Sequence, residues 1–186
     1  MKQSIDFQNQ YRSTIGQFAT GVTVLLTETG GDVIGMTANG ITSLSLVPTQ
    51  LIVCPAKQTR FARFMDEGVH FTVNILGDHQ EAQSNFFACN PDATFQVGAT
   101  HDDPPFALLS WPEVGNVPRL SGCLASIGCT VHRRFEGGDH WIVVGNVAGL
   151  HRSAKPSWPL LYYEGQYHHP SKLMEKHLRP DFDPYA

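Results

Sequence analysis

Two glycine turns set most of what this chain can become. Gly30-Gly31-Asp32 stands between residues 22–27 and 33–37, and Glu136-Gly137-Gly138-Asp139 between residues 123–131 and 140–150. Glycine tolerates the left-handed backbone of a tight reversal, and β-branched flanks favour extended chain. Val22-Thr23-Val24-Leu25-Leu26-Thr27 reads as a buried strand, and residues 33–37 return antiparallel as a hairpin. In the second pair Cys123, Ala125, Ile127, Cys129 and Val131 alternate onto one face, and residues 140–150 return.

The rest of the chain adds strands and few helices. Phe7, Tyr11, Ile15 and Phe18 recur at intervals of four, four and three, one face of a helix that ends near Gly21. Residues 50–54 read as a strand that Pro55 stops. Phe61, Phe64 and Met65 mark a helix over 60–67 with Gly68 as its stop, and 70–76 return to strand. Asp78 with Glu81 resembles a capping box opening a helix through Cys89, with Ala82, Phe86 and Cys89 inward. Residues 90–119, rich in Pro, Gly and Asp, read as irregular, packed through Phe95, Phe106 and Trp111. Residues 160–163 and 166–168 form a last short pair around Gly165, and the tail 178–186 is expected to be loosely held. Many strands and hairpin turns indicate a mainly β chain, an all-β barrel with a few peripheral helices. No internal repeat or linker divides it, so 1–186 is read as one domain, with an N-terminal helix in 1–20 and a C-terminal tail at 170–186.

Charge and cysteine content narrow the function classes. The chain has 186 residues, 13 basic and 17 acidic, and a formal charge of −4. No Lys/Arg cluster suggests nucleic acid, and no apolar run is long enough to span a bilayer. The chain opens Met1-Lys2-Gln3-Ser4 without a leader pattern, so a cytoplasmic protein is expected. Cys54, Cys89, Cys123 and Cys129 form no Cys-x-x-Cys pair, and the histidines, His168-His169 included, lack metal-ligand spacing. Four free, buried thiols and no metal are expected.

One stretch reads as a ligand wall. Gly35-Met36-Thr37-Ala38-Asn39-Gly40-Ile41-Thr42-Ser43-Leu44-Ser45-Leu46-Val47-Pro48 is small, hydroxyl-rich and uncharged. Such residues let backbone approach a flat, hydrogen-bonding ligand closely. A polar strand with its hydroxyls in water is the plain alternative. Gly-x-Ser-x-Gly and Gly-x-Gly-x-x-Gly are both absent, so neither a nucleophile elbow nor a Rossmann dinucleotide site is expected.

Six pieces, in order, resemble the flavin reductase-like family. They are Phe18-Ala19-Thr20-Gly21-Val22-Thr23-Val24, residues 35–45, Leu51-Ile52-Val53-Cys54, Phe71-Thr72-Val73-Asn74-Ile75-Leu76, Gly138-Asp139-His140 with Val144-Gly145-Asn146-Val147, and Leu161-Tyr162-Tyr163 with Gly165-Gln166-Tyr167. The resemblance implies a split β-barrel, a homodimer, and transfer of hydride from NADH or NADPH to FMN or FAD. Reduced flavin then serves a partner monooxygenase. A non-catalytic flavin-binding module, or another split-barrel flavoprotein, is the alternative. The resemblance further implies that Thr37, Ala38, Asn39, Ser43, Leu44 and Ser45 line the flavin. Cys54, Lys57, Thr59 and Arg60 would belong to its phosphate turn, and Phe87 would touch the ring. His140 is the catalytic candidate on the nicotinamide side, where Tyr167 closes, and Phe18 and Thr20 edge the pocket. Gly40 stands where the family pattern has serine, and Gln58 and Phe61 where it has small hydroxyl residues.

Overall fold

The computed structural model describes residues 4–90, 94–95, 100–102, 105–155 and 157–170. The helix α1 spans Ile5–Ile15, and the strands β1 Thr20–Gly21, β2 Thr23–Thr29, β3 Asp32–Ala38, β4 Ile41–Leu46 and β5 Thr49–Val53 follow. Next come α2 Arg60–Arg63, β6 His70–Ile75, α3 Glu81–Cys89, β7 Thr94–Phe95, β8 Thr100–Asp102, β9 Pro105–Trp111 and β10 Val117–Leu120. The long hairpin β11 Ala125–Gly137 and β12 His140–Arg152 precedes β13 Leu161–Tyr163 and β14 Gln166–His168.

Eight strands form one antiparallel sheet in the order β4-β5-β12-β11-β6-β2-β3-β7. Both expected hairpins are present: β2 pairs with β3 from Thr23↔Ala38 to Thr29↔Asp32, and β11 pairs with β12 along its whole length. Gly30, Gly31 and Gly138 adopt positive φ in the two turns, as a tight reversal requires. The register of the long hairpin skips Ala148 in one strand and His132 in the other, so both strands bend there.

The strand order demands closure. β3 and β4 are joined by only Asn39 and Gly40, yet they stand six strand positions apart in the sheet. Laid flat, six steps would separate them by about 29 Å. Three Cα-to-Cα links span at most about 11 Å. The sheet is therefore rolled until β3 and β4 meet end to end. They do not pair with each other, which leaves a seam: the split of a split barrel.

Two cores follow from this rolling. Leu25, Ile34, Val53, Phe71, Val73, Cys129, Val131 and Val143 project inside the roll, where Phe61 of α2 and Met65 just beyond it are added. On the outer face Val24, Leu26 and Val33 meet Phe87 of α3 and Phe95, Phe106, Leu108 and Leu120. β2 is thus buried on both faces, which explains its unbroken apolar run. Cys129 lies in the inner core and Cys123 in the outer, because Cys123 precedes the strand that holds the alternation. Burial lifts both thiols to about 12. Cys89 is exposed and Cys54 half-buried, so the expectation of four buried thiols holds for two.

Buried Asn74 ties these layers together. Its amide donates to the Val24 carbonyl and Thr72 Oγ1, both at 3.0 Å, and its Oδ1 accepts from Leu120 N–H and Ser126 Oγ, both at 2.9 Å. Every hydrogen-bonding position of the amide is used, which a buried amide requires.

Other expectations are corrected. Within 90–119 the described residues include regular strands: β9 and β10 pair from Val117↔Trp111 to Leu120↔Leu108, joined to β8 in a second sheet. Pro118 is tolerated because β10 has a neighbour on one side only, and Gly115 and Asn116, at φ 64° and 59°, close the reversal. α1 ends at Gly16 rather than Gly21, since Thr20–Gly21 is drawn off to pair with β13. Its apolar face is open: Phe7, Tyr11 and Ile15, with Phe18 just beyond the helix, are each at least 50% exposed. α2 lasts one turn and ends at Arg63, where Phe64 leaves helical backbone; Gly68 N–H is taken by the Val131 carbonyl at 2.9 Å. Ahead of α3, residues 78–80 form a 3-10 turn in which Gln80 rather than Glu81 takes the back-bonding place, its Oε1 accepting Gly77 N–H at 3.0 Å. Gln83, Ser84 and Phe87 face inward; Phe86 is half-buried, and Ala82 and Cys89 are exposed. Among the described residues no helix is long and apolar enough to cross a membrane. The tail at 171–186 and His177 lie outside the described residues.

Gly35 is where β3 and α3 touch. A Cβ there would lie 2.6 Å from Phe87 Cε1 and 2.7 Å from Leu26 Cδ2. Gly35→Ala therefore overpacks the outer core and is expected to cost about 1–3 kcal/mol. A thermal melt should show a midpoint about 3–10 °C lower; an unchanged midpoint would mean the contact is loose.

Candidate active site

The seam between β3 and β4 carries the site. Its backbone is held by its own carbonyls. Thr23 Oγ1 donates to Ala38 O at 2.6 Å, Ile41 N–H to Asn39 O at 3.0 Å, and Cys54 N–H to Gly40 O at 2.9 Å. None of the described hydrogen bonds uses the N–H of Asn39 or Gly40. Two main-chain donors on a fixed link suit ligand oxygens. Gly40 is not forced by crowding, since a Cβ would meet Cys54 Cβ at an ordinary 3.4 Å.

Two cavities flank the link, and Asn39 lines both. The larger, about 580 Å³, lies among Phe18, Thr20, Gly40, Thr42, Ile52 and Cys54. The smaller, about 230 Å³, lies among Val22, Thr37, Ala38, Ala88, Tyr162 and Tyr167. Thr20 Oγ1 is buried without a hydrogen-bond partner among the described residues. A shielded, unpartnered hydroxyl beside an uncharged cleft with apolar walls is what a flat heterocycle with peripheral oxygens and nitrogens would satisfy. The residues present therefore fit a flavin ring.

The structure brings together Thr37, Ala38, Asn39 and Tyr167 around one cavity, and Asn39 and Cys54, with Phe18 and Thr20, around the other. It does not bring Ser43, Leu44 and Ser45 to either. β4 is the edge strand and carries Ser43 and Leu44 exposed, while Ser45 Oγ accepts Val47 N–H at 3.2 Å. Phe87 is a core residue, 1% exposed, in a ring cluster with Phe86, Phe95 and Phe106. It is no wall of the cleft.

The segment after β5 meets the turn of the long hairpin. Ala56 and His140 form a bridge, and Lys57 N–H donates to Asp139 O at 2.9 Å. His140 Nδ1 lies 2.8 Å from Asp139 Oδ1, a contact that holds the Asp139 carboxyl below its usual range. With Nδ1–H donating there, neutral imidazole presents Nε2 as an acceptor. Lys57 Nζ lies 3.4 Å from Glu136 and 4.7 Å from the Trp141 ring centre, and the Arg134 guanidinium lies 4.6 Å from the same ring. Arg60 faces Asp32 at 3.9 Å. Thr59 caps α2: its Oγ1 accepts Ala62 N–H at 3.3 Å and donates to Ala56 O at 2.8 Å. Sequence reading missed Tyr162 and Ser84. Tyr162 follows from the Tyr167↔Tyr162 register, whereas nothing in the sequence marks Ser84.

The family model described as flavin reductase like domain matches residues 15–171. The reductase subunit HsaB of a flavin-dependent monooxygenase from Rhodococcus jostii (strain RHA1) is 32% identical over 180 residues, covering 95% of this chain and 86% of that protein. An NADH-dependent FAD reductase of Streptomyces globisporus is 34% identical over 156 residues, covering 81% and 76%. The solved structure of the NADH:FAD oxidoreductase SgcE6 of Streptomyces globisporus C-1027, in complex with NAD and FAD fragments, superposes with a TM-score of 0.74 at 27% identity, covering 98% of this chain and 99% of that one. With a rolled sheet, an uncharged seam and a match over most of its length, the chain belongs to the flavin reductase like family.

Proposed function

We propose that this protein is an NAD(P)H:flavin oxidoreductase that supplies reduced flavin to a partner monooxygenase. The observation that carries the reading is the uncharged seam, with the orphan Thr20 hydroxyl in one cavity and two tyrosines in the other. The chemistry supplied by bound FMN or FAD is acceptance of a hydride from NADH or NADPH. Asn39 and Gly40 present main-chain N–H groups to ring oxygens, and Thr20 and Thr42 add hydroxyls. His140 Nε2 accepts from the nicotinamide carboxamide, and Asp139 holds the ring in that tautomer. Lys57, Thr59 and Arg60 hold phosphate. Glu136, the Lys57 partner, is largely exposed, so a phosphate replaces it at little cost.

The working unit is a homodimer. Supporting this, the open apolar face of α1 and the exposed Leu44, Leu46 and Val47 of the edge strand and its turn leave a large apolar surface in water. The reaction belongs in the reducing cytoplasm, which the four free cysteines support.

Anaerobic mixing of protein, NADH or NADPH, and FMN or FAD should bleach the flavin faster than a protein-free blank; equal rates reject the reading. His140→Ala is expected to lower kcat/KM for the nicotinamide by about tenfold, with flavin affinity unchanged by fluorescence titration. Thiol labelling at pH 8 should modify exposed Cys89 first and Cys54 next, and spare Cys123 and Cys129. Bound flavin should slow labelling at Cys54 alone; equal labelling with and without flavin would put the ring elsewhere.

A further inference from the structure

The two walls of the smaller cavity belong to different sheets. Thr37 and Ala38 end β3 of the large sheet, whereas Tyr162 and Tyr167 stand in the three-stranded sheet β1-β13-β14. One residue bonds to both. Ser84, on the inward face of α3 and 0% exposed, accepts the Thr37 hydroxyl on its main-chain carbonyl at 2.6 Å. Its own hydroxyl meets Tyr167 Oη at 2.7 Å. A helix carbonyl has a second lone pair, so it can take the threonine without giving up its place in the helix. Tyr167 has no fixed backbone reason to hold its ring at one angle: β14 is a three-residue edge strand. Its ring is held by Tyr162 edge-on, centroids 5.5 Å apart, and by the bond to Ser84.

We propose that Ser84 is a positioning residue for hydride transfer: one helical residue sets the gap between the flavin wall at Thr37 and the aromatic at Tyr167 that backs the nicotinamide. The proposal rests on the flavin reductase reading above. Its two bonds differ in what a mutation removes. Ser84→Ala deletes the hydroxyl that holds Tyr167 and keeps the carbonyl that holds Thr37. The nicotinamide side is loosened and the flavin side is not. A role in folding alone would affect both ligands, or neither.

The test compares wild type, Ser84→Ala, Tyr167→Phe and the double variant. Each is measured for kcat and KM with NADH at saturating flavin, for the dissociation constant of NAD+ by calorimetry, for flavin affinity by fluorescence, and for thermal midpoint. Ser84→Ala is expected to raise KM for NADH and the NAD+ dissociation constant by about five- to tenfold, the loss of one buried hydrogen bond. Flavin affinity should stay within about twofold, since no flavin-side bond is removed. Tyr167→Phe should reproduce these changes, and the double variant should be no worse than either single one, because both remove the same bond. With wild type active, an unaltered Ser84→Ala overturns the proposal, as do losses that multiply in the double variant or fall equally on flavin and nicotinamide. Wild type that does not reduce flavin overturns the reading beneath it as well.

Discussion

A link of two residues governs the molecule. Asn39 and Gly40 must join strands that the sheet order places six positions apart, and only rolling the sheet allows it. The roll encloses one core, and its outer surface collects a second beneath α3 and the β9–β10 hairpin. The same link cannot itself pair as a strand. Its backbone is left at the rim, pinned by its carbonyls, in a place the fold cannot fill with regular structure. A binding site at the split is thus a consequence of closure. Backbone donors fixed in this way need no reorganisation when a ligand arrives.

What surrounds the link divides the work by chemistry. Uncharged residues lie against the seam, and charge is kept at the hairpin turn, where Lys57, Glu136, Asp139 and His140 meet. Hydride transfer between two cofactors asks the protein for stacking and orientation more than for acids and bases. A neutral slot with charged groups at one end meets that demand. Rigidity comes from buried polar bonds rather than ion pairs. Asn74 joins β2, β6, β10 and β11, and Ser84 joins two sheets over one cavity. The ion pairs at the surface contribute little by comparison.

How much of this is legible in the sequence depends on whether the signal is local. The hairpins are legible because glycine turns and β-branched runs are local signals, and residues 37–42 because small hydroxylated residues are. Ser43, Leu44 and Ser45 share that composition yet face outward, since only the sheet order reveals that β4 is an edge. Phe87 and the N-terminal aromatics show the converse. Aromatic spacing does not say whether a face meets the core, a ligand or water: Phe87 is buried while Phe18 is open. The β9–β10 pair is hidden because Pro118 stands inside β10, where an edge position tolerates it, and Pro105 opens β9 as its first residue. Ser84 carries no signal at all, because a helical serine acquires meaning only from partners 47 and 83 residues away.

The central claim is that the seam at Asn39 and Gly40 holds the flavin. A crystal structure of the protein grown with FMN or FAD tests it most directly. The account predicts the tricyclic ring against residues 37–42, within hydrogen-bond distance of the Asn39 or Gly40 N–H and of Thr20 Oγ1. A ring bound away from that link, with both N–H groups still unengaged, would contradict it.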